Sequence, residues 1–99
     1  MSDITLGIIG GGQLGSMLAI AAKKLNVKTI IFSDDADAPA QNFCNQFISG
    51  NYKDKQKIAD FINQVDVVTY EFENIPFETL NEINKIKPVL PKPSINRLI

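Results

Sequence analysis

Short apolar runs alternate along this chain with segments of helical spacing, and that alternation restricts the fold more than any other feature. Residues 4–9 form an apolar run that stops at Gly10-Gly11-Gly12, as a buried strand does when it meets a tight turn. Residues 14–25 follow at helical spacing, with Leu14, Leu18, Ala21, Ala22 and Leu25 on one face and Asn26 as a stop. Lys23 and Lys24 fall in the last turn, where positive charge complements the helix dipole. Residues 27–32 predict a second buried strand, closed by Ser33-Asp34-Asp35. Residues 35–45 are polar, contain Pro39 and predict a loop with room for one helical turn, and 47–49 predict a short third strand. Asp54 is placed to cap a helix running to about residue 64, whose apolar face is Ile58, Phe61, Ile62 and Val65. Residues 67–72 predict the fourth strand. Pro76 suits an early helical position, and Phe77, Leu80, Ile83 and Ile86 carry helical spacing to residue 87. Val89-Leu90 predicts a last short strand before Pro91 and Pro93.

Strands alternating with helices, without hairpin signals, imply an α/β domain with a Rossmann-like open parallel sheet and helices on both faces. Right-handed crossovers then bring the carboxyl ends of the first, second and fourth strands to one edge, where such sheets bind ligands. The chain of 99 residues reads as one domain over residues 1–99, with no internal repeat or low-complexity tract.

Composition narrows the function classes. The net charge is −1, with 10 basic and 11 acidic residues spread along the chain, and no basic block or aromatic-basic interleaving marks a nucleic-acid partner. Histidine is absent, so Ser-His and Cys-His catalysis and histidine-ligated metals are excluded within this chain. A single cysteine, Cys44, cannot form an internal disulfide, which fits a reducing cytoplasm. Residues 5–22 carry no charge, yet Asp3 precedes them where a signal peptide carries basic residues. Gly10, Gly11, Gly12, Gly15 and Gln13 also make that stretch a poor spanning helix, so no membrane partner is expected.

Two segments carry candidate chemistry. Gly10-Gly11-Gly12-Gln13-Leu14-Gly15 matches G-x-G-x-x-G between a strand and a helix. Glycine permits positive φ and close ligand approach, and the helix N-terminus offers N–H groups to an anion. Asp34 lies where a dinucleotide fold holds a ribose hydroxyl, so an NAD-binding domain is one reading of the turn. A tight strand-helix corner with solvated Asp34 and Asp35 is the plainer one. The second segment is Thr69-Tyr70-Glu71-Phe72-Glu73-Asn74-Ile75-Pro76. Side chains alternate along a strand, so Glu71 and Glu73 share a side, beside the glycine turn. There they could receive an amine or hydroxyls. Alternatively they are partly solvated, or one caps the following helix.

With Ile8-Ile9 and Met17-Leu18 flanking the glycine turn, then Asp37-Ala38-Pro39-Ala40, then residues 67–76, the sequence resembles N5-carboxyaminoimidazole ribonucleotide synthetase. The resemblance runs from the first strand to about Ser94. It implies an ATP-grasp enzyme of de novo purine synthesis that uses ATP, magnesium and bicarbonate to carboxylate the exocyclic amine of 5-aminoimidazole ribonucleotide, usually as a homodimer. It further implies that this amino-terminal domain holds the ribonucleotide. Gln13 and Leu14 would meet the substrate through the turn formed by Gly10, Gly12 and Gly15, Glu71 would accept hydrogen bonds from it, and Glu73 would stand behind. Two departures stand out. Ser16 occupies a position where the family commonly has arginine, and Arg97 follows Pro93 too closely to be assigned the family's ATP-contacting arginine.

The expectation is therefore the amino-terminal pre-ATP-grasp part of a cytoplasmic synthetase, inactive alone, with no catalytic residue and no metal site of its own. The ATP-grasp and carboxyl-terminal domains, with the residues for ATP and magnesium, are expected to lie outside it, encoded separately if they exist. A free-standing NAD-binding domain and a non-functional gene remnant are the alternatives.

Overall fold

The computed structural model describes residues 4–71 and 75–90. Four parallel strands, β1 (Thr5–Ile9), β2 (Lys28–Ser33), β3 (Gln46–Ser49) and β4 (Val67–Tyr70), lie in the order β3-β2-β1-β4. Helices α1 (Gln13–Lys24), α2 (Lys55–Ile62) and α3 (Phe77–Asn84) and a 3-10 turn (Pro39–Asn42) make the connections. The chain steps from β1 to β2 to β3 in one direction, then returns to place β4 on the free side of β1. The switch between β1 and β4 opens the crevice in which parallel sheets receive ligands.

The inner strands β1 and β2 are largely apolar and buried because both faces of the sheet are covered there. On one face Ile9, Ile30, Phe32, Val68 and Tyr70 pack with Phe61, Ile62 and Val65 from the α2 region and with Leu80 and Ile83 from α3. On the other, Ile8 and Ile31 pack with Ala19 of α1 and Ala40 of the 3-10 turn. Successive residues of β1 and β2 alternate between the two clusters, as the period of a strand requires. Gly7 lets α2 approach, since a Cβ there would lie 2.7 Å from the Phe61 ring.

Helix ends follow local chemistry. Asp54 caps α2, its carboxylate accepting from the Lys57 N–H at 3.2 Å. At the end of α1, Asn26 takes a left-handed φ of 59°. Its N–H donates to Lys23 O and that of Val27 to Ala22 O, the paired bonds of a Schellman ending.

Several boundaries differ from those expected of the sequence. The buried face of α1 is Gly15, Ser16, Ala19 and Ala22, not the expected leucine face: Leu14 and Ala21 are exposed and Leu25 is 74% exposed. Small residues fill most of this face because the start of the helix lies against backbone, and of the expected leucines Leu18 alone packs, partly buried, against the core. Pro76 is the N-cap of α3 rather than a residue inside it, and the helix ends at Asn84, which leaves Ile86 66% exposed. Val89 makes a single bridge to Val68 instead of a strand. It is held by bonds from Val68 N–H to Pro88 O and from Leu90 N–H to Val68 O, both 2.9 Å. Strand β2 runs one residue later than expected, and β4 stops at Tyr70, with Phe72 outside the described residues. Among the described residues, no helix is long and apolar enough to cross a membrane.

Candidate functional site

The carboxyl ends of β1, β2 and β4 meet at a pocket of about 150 Å³ lined by Gly10, Gly11, Gly12, Ser33, Asp34, Asp35, Ala38, Pro39, Tyr52 and Glu71. The expected glycine turn and first carboxylate are thus brought to one place. Glu73 lies outside the described residues.

The turn exists because the backbone leaves β1 at an angle only glycine accepts readily: Gly10 has φ +110°. Its N–H still reaches across to Phe32 O at 2.8 Å. Five residues on, Gly15 lies so near the turn that a Cβ there would come within 2.5 Å of Gly10 O. The Asp37-Ala38-Pro39-Ala40 segment folds onto the same corner, with Ala38 and Ala40 buried and the Ala40 N–H donating to Gly11 O at 3.0 Å. That packing gives these small residues a structural reason to follow the glycine turn at this spacing.

Helix α1 begins at Gly12, with no side-chain cap and no acidic residue in its first turn. The first N–H groups of a helix have no acceptor within it. Glu71 answers that need from across the sheet. Its own N–H extends the ladder to Ile9 O at 3.0 Å, and its Oε1 accepts from the Gly15 N–H at 2.7 Å. Glu71 therefore caps a helix, but α1 rather than the helix that follows it in sequence. The Ser16 N–H donates to Gly12 O, and the Ser16 hydroxyl, in a residue only 8% exposed, donates to the same carbonyl at 3.0 Å. Ser16 thus turns back into the corner. The N–H groups of Gln13 and Leu14 are left at the open end of the helix with no acceptor among the described residues.

At the end of β2 the Ser33 hydroxyl accepts from the Asp35 N–H at 3.1 Å, and Asp35 Oδ1 accepts from the Asp37 N–H at 2.9 Å. Asp35 is thereby a turn residue, while the exposed Asp34 has its carboxylate at the pocket rim. Tyr52 was not singled out by the sequence: an aromatic side chain in the polar loop between β3 and α2 carries no periodic signal. The one available clue was its place just beyond a strand's carboxyl end. Burial, then the charge of Asp34 and more weakly of Glu71, pushes the Tyr52 phenol up to about 12. The hydroxyl therefore stays protonated at neutral pH and can donate.

No lysine or arginine lines this pocket among the described residues. Larger concavities lie elsewhere. One of about 590 Å³ sits at the opposite end of the sheet beside Lys23, Lys28, Phe43 and Cys44, and one of about 560 Å³ lies between α2 and α3. Size favours those two. Convergence of glycine backbone, open helix N–H groups, carboxylates and a phenol favours the small one, and convergent polar groups are the better mark of recognition.

Known proteins are similar to this chain in sequence and in fold. N5-carboxyaminoimidazole ribonucleotide synthase of Staphylococcus epidermidis is 46% identical over 82 residues, covering 83% of this chain and 22% of the relative. The enzyme of the same name from Brucella melitensis is 43% identical over 90 residues, covering 91% of this chain and 25% of the relative. The crystal structure of N5-carboxyaminoimidazole synthetase from Staphylococcus aureus complexed with ADP superposes with a TM-score of 0.89 at 33% identity. That superposition covers 97% of this chain and 26% of the other. This chain thus spans about a quarter of the length of such relatives, their amino-terminal portion. The model described as the ribonucleotide synthetase preATP-grasp domain matches residues 3–99, and the chain belongs to that family.

Proposed function

We propose that this chain is the amino-terminal, substrate-holding part of an ATP-dependent ligase. The ligase would carboxylate 5-aminoimidazole ribonucleotide with bicarbonate in de novo purine biosynthesis, in the cytoplasm, and the part is inactive alone. The observation that carries the reading is Glu71 at the crevice between β1 and β4, with one carboxylate oxygen on the Gly15 N–H and both oxygens over the glycine turn. A negative charge resting on the turn suits a ligand that offers an amine or hydroxyls, and it opposes a pyrophosphate. That argues against the dinucleotide reading of the same glycine pattern. Gln13 and Leu14 would give their backbone N–H groups to the ribonucleotide, and Glu73 would support Glu71.

The residues of the pocket do not fit ATP with magnesium. No cationic side chain lines it, and no group of three or more His, Cys, Asp or Glu among the described residues could hold a metal ion. In this reading both belong to the portion of the relatives beyond the matched length. Homodimer formation is likewise part of the proposal. The test is binding and turnover with pure protein. Glu71→Gln, which keeps an oxygen for the Gly15 N–H, is expected to weaken 5-aminoimidazole ribonucleotide binding about ten-fold or more, as loss of a charged hydrogen-bond acceptor does. The unsubstituted chain is expected to hydrolyse no ATP. Equal binding by the variant, or ATP hydrolysis by the pure chain, contradicts the reading.

A further inference from the structure

Tyr52 forms the wall of the pocket on the α2 side, and the functional reading above does not use it. Its ring lies 5.9 Å from that of Phe32 at 41°, and Phe32 in turn lies 5.7 Å from Phe61 of α2. Its backbone carbonyl accepts from the Thr79 hydroxyl of α3 at 3.3 Å. The loop beneath it is tightened by bonds from Lys53 N–H to Asn51 Oδ1 at 2.8 Å and from Asp54 N–H to Asn51 O at 2.9 Å. The ring is therefore held before any ligand arrives. It also divides two concavities, lining both the pocket at the glycine turn and the groove between α2 and α3.

We propose that Tyr52 is a specificity-determining residue of this site, donating its hydroxyl proton to a sugar hydroxyl of the ligand while Asp34 accepts that hydroxyl's own proton. The inference rests on the ribonucleotide reading and adds which part of the ligand this end of the pocket selects. A phosphate offers only acceptors and would face the carboxylates of Asp34 and Glu71. A protonated or aromatic amine offers only donors, which the phenol oxygen can accept, but it leaves the phenol's own proton without an acceptor. An alcohol both accepts and donates, and alone of the three satisfies the phenol and the carboxylate together. Burial and then the charges of Asp34 and Glu71 keep Tyr52 protonated, and the same charges repel an anion there.

The experiment measures binding of 5-aminoimidazole ribonucleotide and of its 2′,3′-dideoxy analogue to the full chain. It compares the unsubstituted protein with Tyr52→Phe, which retains the ring on Phe32. Folding is checked by the amide NMR spectrum. Loss of the sugar hydroxyls is expected to weaken binding to the unsubstituted chain by about ten-fold or more, because one of the bonds lost is to a carboxylate. Tyr52→Phe is expected to lose that discrimination and to bind the dideoxy analogue as the unsubstituted chain does, the signature of a coupled pair. Asp34→Ala, a change at an exposed side chain, is expected to lose the same discrimination and supplies the test should Tyr52→Phe fail to fold. If either folded variant retains the discrimination, the proposal is overturned while the ribonucleotide reading stands. If the unsubstituted chain binds no ribonucleotide, both fall.

Discussion

On one face of the sheet α1 meets the strands through Gly15, Ser16, Ala19 and Ala22; on the other, α2 and α3 meet them through Phe61, Ile62, Leu80 and Ile83. The first contact is made at backbone range, the second at the reach of large side chains. The difference separates two tasks. Large apolar groups remove most surface from water and so hold the fold, each fully buried one contributing roughly 1.5–3 kcal/mol. Small ones bring the start of α1 close enough for the Glu71 carboxylate of a neighbouring strand to take the Gly15 N–H. The site is built on the face that contributes less stability.

Substitutions at four positions sharpen or break this division, beginning with the largest effect. Phe61→Ala empties the middle of the large-residue face and is expected to cost about 3–5 kcal/mol in denaturant unfolding. The amide signals of residues 10–16 should stay in place if the folded state remains populated, and loss of those signals first would break the division. Gly15→Ala drives a methyl group to within 2.5 Å of Gly10 O. The expected cost is about 1–3 kcal/mol, as for overpacking, with shifts concentrated at the glycine turn. A neutral result would mean that α1 is not held at backbone range.

Glu71→Ala is expected to cost about 0.5–2 kcal/mol, the worth of a helix cap, whereas Glu71→Gln should recover most of it because an amide oxygen can still accept. Stability thus measures the cap, and ligand binding measures the charge. Identical stability of the two variants would show that the cap contributes nothing. The smallest effect is at alkaline pH. Tyr52 has its folded-state pKa raised from 10.0 to about 12, so the folded state holds the proton longer than the unfolded chain. Its contribution is complete below pH 10 and is lost as pH rises from 10 towards 12. Burial also raises Tyr70, so the unsubstituted chain carries both losses. Tyr52→Phe should flatten, not abolish, the decline of stability across that range, and an unchanged slope would contradict the environment described for the phenol.

The strands and α2 were legible in the sequence because short apolar runs and one well-placed Asp54 are local signals. The face of α1 was not, since residues 14–22 lack the polar contrast that would pick a side; size decided, and periodicity does not report size. Ile86 continued the helical spacing of α3 past the point where the helix ends, because a spacing pattern cannot register a chain turning off to pair Val89 with Val68. The edge on which Glu71 stands followed from strand order. Its bond to Gly15, 56 residues away, did not. The absence of any capping residue before Gln13 was the readable hint that a partner had to come from elsewhere. Tyr52 had no hint beyond its position after β3.

The account turns on where a ribonucleotide binds, and amide NMR of the labelled chain titrated with 5-aminoimidazole ribonucleotide measures that directly. Shifts confined to residues 10–15, 33–35, 52 and 71 are the result expected. No shifts, or shifts gathered at Lys23, Lys28 and Phe43 at the far end of the sheet, would contradict the assignment of the site.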